Sequence, residues 1–175
     1  SFLILFMKSK FNYIAAFWQV QLSLAIIKII FTLRPEINLF TEEAQYWLWS
    51  KNLAWHYYSK PPLIAAFNYI STSILGDTEI AVRINAILFG LGTAWVVFKF
   101  TEFLFHSREM AFWASLILSA MPFWMLFSTF HMTDSELTFF WILSWYLLAR
   151  ALVEKRTRWW ILAGVAAAFG LMSKS

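Results

Sequence analysis

The sequence has no cysteine, few glycines and prolines (five and four), and only 14% charged residues in 175. Without a thiol it holds no disulfide framework and says nothing of redox compartment. A soluble domain carries about 25% charged residues, so the scarcity of charge excludes an ordinary soluble fold. The basic residues are scattered between apolar runs rather than gathered into a patch, which excludes a nucleic-acid surface despite a net charge of +4. There is no internal repeat and no low-complexity segment. What fills the chain instead is hydrophobic residues, at 61%, and aromatic ones, at 21%. This composition is that of an all-α integral membrane protein, a polytopic helix bundle.

A spanning helix needs roughly 20 apolar residues to cross about 30 Å of hydrocarbon. Five runs approach that length: residues 11–33, 80–103, 110–130, 137–152 and 159–172. The last two are short, so their ends are expected to extend into flanking polar residues. Pro122 is expected to kink or end the regular part of the third run. Lys28, near the end of the first, is expected to snorkel outward. Ser1–Met7 is too short for a signal peptide, and Lys8 and Lys10 follow it rather than precede it. The chain begins without Met and ends directly after an apolar run, so it is expected to be a fragment.

Lys and Arg set the expected orientation. Arg150, Lys155, Arg156 and Arg158 crowd one short loop, which places that loop and the N-terminus inside, with Lys8, Lys10, Lys99 and Arg108. Glu36, Glu42, Glu43, Asp77, Glu79, Asp134 and Glu136 then fall outside. The loop of residues 34–79 is too long to lack structure. Thr41 can cap a helix with Glu42 and Glu43 in its first turn. Pro61 and Pro62 suit the start of a second helix, over residues 63–75, ended by Gly76 and short enough to lie along the membrane surface. Asp77 or Thr78 then caps the second run.

The candidate chemistry gathers in this outer loop. Glu42 and Glu43 suit the helix dipole as first-turn acids, and a carboxylate at a water-lined membrane mouth can also act as a general base. Their side chains point about 100° apart. Glu42 shares a face with Tyr46 and Trp49, rings that can line a sugar site, and Glu43 shares one with Trp47 and Ser50. Lys60, on a stiff Pro-Pro shoulder, is either a snorkelling lysine or a clamp for a phosphate head group. Thr133-Asp134-Ser135-Glu136 reads as a capping box that leaves Asp134 free. His56, Tyr58 and His131 complete the candidate lining. These histidines and acids lack any fixed metal-ligand spacing, so a divalent metal is left open and no cofactor is assigned.

Glu42-Glu43-Ala44-Gln45-Tyr46-Trp47, then Tyr57-Tyr58-Ser59-Lys60-Pro61-Pro62-Leu63, then Gly76-Asp77-Thr78-Glu79 and Arg83, resembles the first outer loop of a known family. The family is the bacterial C-type-fold glycosyltransferases of the family 39/83 group, relatives of protein O-mannosyltransferases and of the lipid A aminoarabinose transferase. Thr133-Asp134-Ser135-Glu136-Leu137 and Gly170-Leu171-Met172-Ser173-Lys174 continue the resemblance over nearly the whole chain. It implies a multi-pass protein of the bacterial cytoplasmic membrane with its active site facing the periplasm or exterior. The implied reaction moves a sugar from a polyprenyl-phosphate donor to a lipid, glycan or protein acceptor, with inversion. By position, Glu42 takes the place of the catalytic Asp, with one more methylene, and Glu43 follows it. Lys60 takes the place of the lysine that meets the donor phosphate, and Asp134 that of the second outer acid. The rival reading is a transporter or lipid flippase, but the middles of the later runs hold no ionisable residue.

Overall fold

The computed structural model describes residues 11–34, 36–58 and 60–174. The expectations resting on residues 1–10, Lys8 and Lys10 among them, and on Ser59 lie outside the described residues. The described chain is all helical. In order it forms α1 (Tyr13–Thr32), α2 (Thr41–Ser50), α3 (Leu63–Leu75), α4 (Glu79–Phe105), α5 (Arg108–Ala120), α6 (Pro122–Phe127), α7 (Thr133–Glu154) and α8 (Thr157–Ser173).

Among the described residues three helices are long and apolar enough to cross a membrane: α1 with 20 residues, α4 with 27 and α7 with 22. The third apolar run, residues 110–130, is broken. Met121 adopts an extended conformation and Pro122 opens α6, since its ring supplies no N–H and suits a first helical turn. The fifth, α8, has 17 residues. Local chemistry sets the ends. The Asn12 carboxamide accepts from Ala15 N–H at 3.1 Å to start α1, and Thr78 accepts from Ala81 N–H at 3.3 Å to start α4. Gly76 ends α3 at φ +75°, in a region glycine enters freely.

Helix α4 is the hub. It packs against α1, α3, α5, α6 and α7. Within its most apolar window 56% of residues are buried, against 17% in α1 and α7. The remaining faces of α1 and α7 stay apolar and exposed, as a lipid-facing surface would be. At one end of the hub, Phe17, Ala94, Phe98, Ala111 and Phe112 form a core joining α1, α4 and α5. Phe17 and Phe98 meet at 5.0 Å between ring centres, an attractive aromatic spacing. Between α7 and α8, Leu147 packs on Ala163 and Ala166, small residues that let two helices approach closely.

Two expectations are corrected. Lys28 does not snorkel outward; its ammonium donates to Ser128 Oγ at 2.6 Å. The break at Pro122 turns the chain so that Ser128 faces α1 and offers Lys28 a nearby acceptor. Ser128 is also packed closely on α4, because a Cβ added at Gly90 would lie 2.6 Å from its own. The helix caps at Thr41 and Thr133 are also displaced by one residue. Phe40 and Met132 hold the cap positions, and neither threonine caps its helix. Glu136 is thereby released from the capping box and turns to His131.

Candidate functional site

Helices α2 and α3 and the first turns of α4 and α7 come together on one side of the hub. Two layers of polar side chains lie there. The inner layer is a strut. Glu43 and Arg83 are both fully buried. They pair through Glu43 Oε2 and Arg83 Nη2 at 3.1 Å. The same guanidinium donates to the carbonyls of Ile37 at 2.9 Å and Asn38 at 2.7 Å. It also lies 5.2 Å above the centre of the Phe130 ring. Glu43 further accepts from the backbone N–H of Phe40 at 3.1 Å and of His131 at 2.9 Å. This carboxylate thus ties the residue ahead of α2 and the segment ahead of α7 to helix α4. Its lone pairs are occupied, and it has no access to solvent.

The outer layer is different. Glu42, one residue earlier, is exposed. The buried phenol of Tyr46 stands one turn on, and its pKa is pushed up to about 12. Burial is the main cause. The negative charges of Glu42 and Asp134 add to it, and a hydrogen bond with Thr133 works the other way. Tyr46 therefore stays protonated at neutral pH, and acids from two helices flank it. Asp134 in turn accepts from the ammonium of Lys174 at 2.8 Å. Aromatic rings wall one side: Tyr46 to Trp49 is 5.5 Å, and Trp49 stacks on Tyr57 at 4.7 Å. Tyr57 pins the following loop, because its hydroxyl meets the carbonyls of Trp49 and Asn52 and the N–H of Ala54.

The structure thus brings Glu42, Tyr46, Trp49 and Asp134 together, and sets Glu43 and His131 behind them as buried groups. Lys60 is half-buried and precedes α3. Among the described residues no hydrogen bond or ion pair engages its ammonium. An open apolar groove of about 410 Å³ begins two residues further on, lined by Leu53, Trp55, Pro62, Leu63, Ala66 and Met172. His56 and Tyr58 are exposed on the loop, and no described contact ties either to the cluster. Beyond the cluster, Asp77 accepts from Lys51 and from Trp47 Nε1, which holds its carboxyl below the usual range and fastens α2 to the start of α4. Among the described residues no three His, Asp or Glu side chains converge as a metal-ligand set.

Sequence reasoning missed the structural weight of Arg83, Asn68, Asn85 and Lys174. A signal existed for Arg83, which stands four residues after Glu79, one turn into a largely apolar helix. A charge among apolar neighbours there calls for a buried partner.

Residues 59–175 match the dolichyl-phosphate-mannose-protein mannosyltransferase family, and the chain belongs to it. Over 104 residues, 59% of the chain, it is 38% identical to a lipid A galacturonosyltransferase of Rhizobium johnstonii, of which it covers 22%. Over 133 residues, 73% of the chain, it is 29% identical to an undecaprenyl phosphate-alpha-4-amino-4-deoxy-L-arabinose arabinosyl transferase of Serratia proteamaculans, of which it covers 24%. The protein of the same name in Aeromonas hydrophila is 31% identical over 134 residues, again 73% of the chain and 24% of the relative. The chain therefore spans about a quarter of the length of these relatives. No solved structure matches it.

Proposed function

We propose that this chain forms the donor-side face of a membrane glycosyltransferase. The enzyme moves a sugar from a polyprenyl-phosphate donor to an acceptor hydroxyl on the outer, periplasmic side of the bacterial inner membrane. The observation that carries the reading is the division of labour between neighbours: Glu43 is fully committed to Arg83, whereas Glu42 stands open beside Tyr46 and Asp134. The names of the relatives, with their undecaprenyl-phosphate sugars and lipid A, support the donor class and a lipid acceptor.

In this mechanism the acceptor oxygen attacks the anomeric carbon while Glu42 takes its proton. The bond from that carbon to the phosphate oxygen breaks, and the polyprenyl phosphate leaves with the electron pair. Lys60 neutralises the departing charge. One displacement inverts the anomeric centre. The phosphate is a good leaving group, so a base and a cation suffice without a general acid. The apolar groove beside Pro62 and Leu63 suits the first isoprenoid units of the donor, and Trp49 and Tyr46 offer rings to a sugar face. The broken pair α5–α6 and the short α8 complete five crossings in this layout, with the basic turn between α7 and α8 inside.

The experiment that tests the reading is transfer by the full-length protein in proteoliposomes, from a donor labelled in the sugar. Label leaving the polyprenyl phosphate supports a transferase. A labelled donor that crosses the bilayer intact, without sugar release, supports the flippase instead.

Two further results are expected. Lys60→Ala should raise the apparent donor dissociation constant, and Lys60→Arg should restore part of the affinity, because the charge survives and only its shape changes. Unchanged donor affinity in Lys60→Ala would reduce Lys60 to a surface lysine. In intact cells, an impermeant thiol reagent should label Lys51→Cys and spare Thr157→Cys. The opposite pattern would invert the orientation.

A further inference from the structure

Behind Glu43 lies a second buried group that the proposed reaction does not use. Asn68 on α3, Asn85 on α4, His131 ahead of α7 and Glu136 within it are all buried, and one chain of hydrogen bonds runs through them. Its direction follows from the donors. Ser71 Oγ–H donates to the backbone carbonyl of Asn68 at 3.2 Å, so a lone pair of Ser71 is left to accept from Asn85 Nδ2 at 2.9 Å. The same Asn85 amide donates to Asn68 Oδ1 at 3.2 Å. Asn68 therefore keeps its oxygen inward, since a flipped amide would set its NH2 against the Asn85 donor, and its own Nδ2 is buried with no hydrogen-bond partner among the described residues. That oxygen lies 2.7 Å from His131 Nδ1. It can only accept, so Nδ1 carries a hydrogen.

The other ring nitrogen, Nε2, lies 3.1 Å from Glu136 Oε1, and one proton must sit between them. Glu136 Oε2 is buried with no hydrogen-bond partner among the described residues. A bare oxygen of an ionised carboxylate is far costlier to bury than the carbonyl oxygen of a carboxylic acid. The charged groups nearby do not reverse this. Glu43, which accepts from the backbone N–H of His131, is neutralised by Arg83, and Glu79 lies 3.8 Å from the same guanidinium. Asp134 is paired with Lys174, and the Tyr46 phenol is neutral. Glu42 is exposed and adds only negative charge.

The geometry points to a neutral pair, with the shared proton on Glu136 Oε1 and donated to His131 Nε2, acting as a positioning lock for the outer acid cluster. The lock fixes the imidazole between α3 and α7. The backbone of His131 is held by Glu43, and three residues on, Asp134 faces Tyr46. Glu136 and His131 are thus positioning residues that act through Asp134 and Thr133. The positioning role rests on the transferase reading; the proton arrangement does not.

The test has two arms on the full-length protein. The first is ¹⁵N-histidine NMR, with the His131 resonances identified by their loss in His131→Gln. The expected spectrum at neutral pH is a neutral ring protonated at Nδ1 and bare at Nε2. An imidazolium, or a ring protonated at Nε2 alone, overturns the proposal. The second arm is transfer kinetics. Glu136→Gln can still donate an N–H to Nε2 and should keep turnover near wild type with the same pH profile. Glu136→Ala should lower kcat by about 10–100-fold with the donor KM little changed, the size of effect a small misplacement produces. Equal turnover in Glu136→Ala and wild type would remove the positioning role, and so would a Glu136→Gln variant as slow as Glu136→Ala. A full-length protein that transfers no sugar would sink the transferase reading while leaving the spectrum to decide the proton arrangement.

Discussion

Glu42→Gln is expected to lower turnover by about 10²–10⁴-fold, the usual loss when a general base is removed. The amide keeps the size of the side chain and discards its basicity. Donor affinity should survive, because the phosphate is assigned to Lys60 and the isoprenoid to the groove at Leu53, Trp55 and Leu63. Glu42 is exposed in the first turn of α2, so the fold has little reason to respond. Glu42→Asp should remain active, since it keeps a carboxylate at the same place, one methylene shorter. The check is kcat for both variants beside a direct measurement of donor binding. A donor dissociation constant that rises as steeply as kcat falls would reassign Glu42 from base to binding group.

The second large effect is expected at Arg83, and it concerns stability rather than chemistry. Arg83→Ala leaves the Glu43 carboxylate buried without its cation and strips the carbonyls of Ile37 and Asn38 of their donors. Removing one partner of a buried ion pair costs roughly 3–5 kcal/mol. Arg83→Lys should recover only part of that, because an ammonium cannot span Glu43 and two carbonyls as the planar fork does. The double variant Glu43→Leu, Arg83→Leu should be less destabilised than the sum of the two single changes, as the orphaned charge is then gone. Thermal unfolding of the full-length protein in detergent measures these variants, the two single leucine changes included, beside wild type. An Arg83→Ala protein that melts with wild type would mean that Glu43 and Arg83 do not hold the outer loop.

Periodicity and local chemistry made the helices legible. Gly76 marks the end of α3, Thr78 caps α4, and Pro122 divides the third apolar run, each by an effect within a few residues of itself. The angular separation of adjacent helical residues also distinguished Glu42 from Glu43 before any partner was known. The partners themselves were not legible. Glu43 meets Arg83 across 40 positions and the backbone of His131 across 88, and no local pattern encodes either meeting. The same gap explains the errors. Thr133-x-x-Glu satisfies the capping pattern, but Glu136 finds a better partner in a histidine fixed by Asn68. Lys28 near a helix end suits snorkelling, but a break in another helix delivers Ser128 to it.

The account is tested most directly by measuring, in one experiment, the rate at which the full-length wild-type, Glu42→Gln, Glu43→Gln and Asp134→Asn proteins release polyprenyl phosphate from a labelled sugar donor in the presence of acceptor. The expected order puts wild type first. Glu42→Gln should be slowest among variants that still fold and bind donor, and any loss in Glu43→Gln should track its loss of folded protein. A Glu42→Gln protein that releases polyprenyl phosphate at the wild-type rate, while folded Glu43→Gln or Asp134→Asn is inactive, would contradict the account and move the base to that residue.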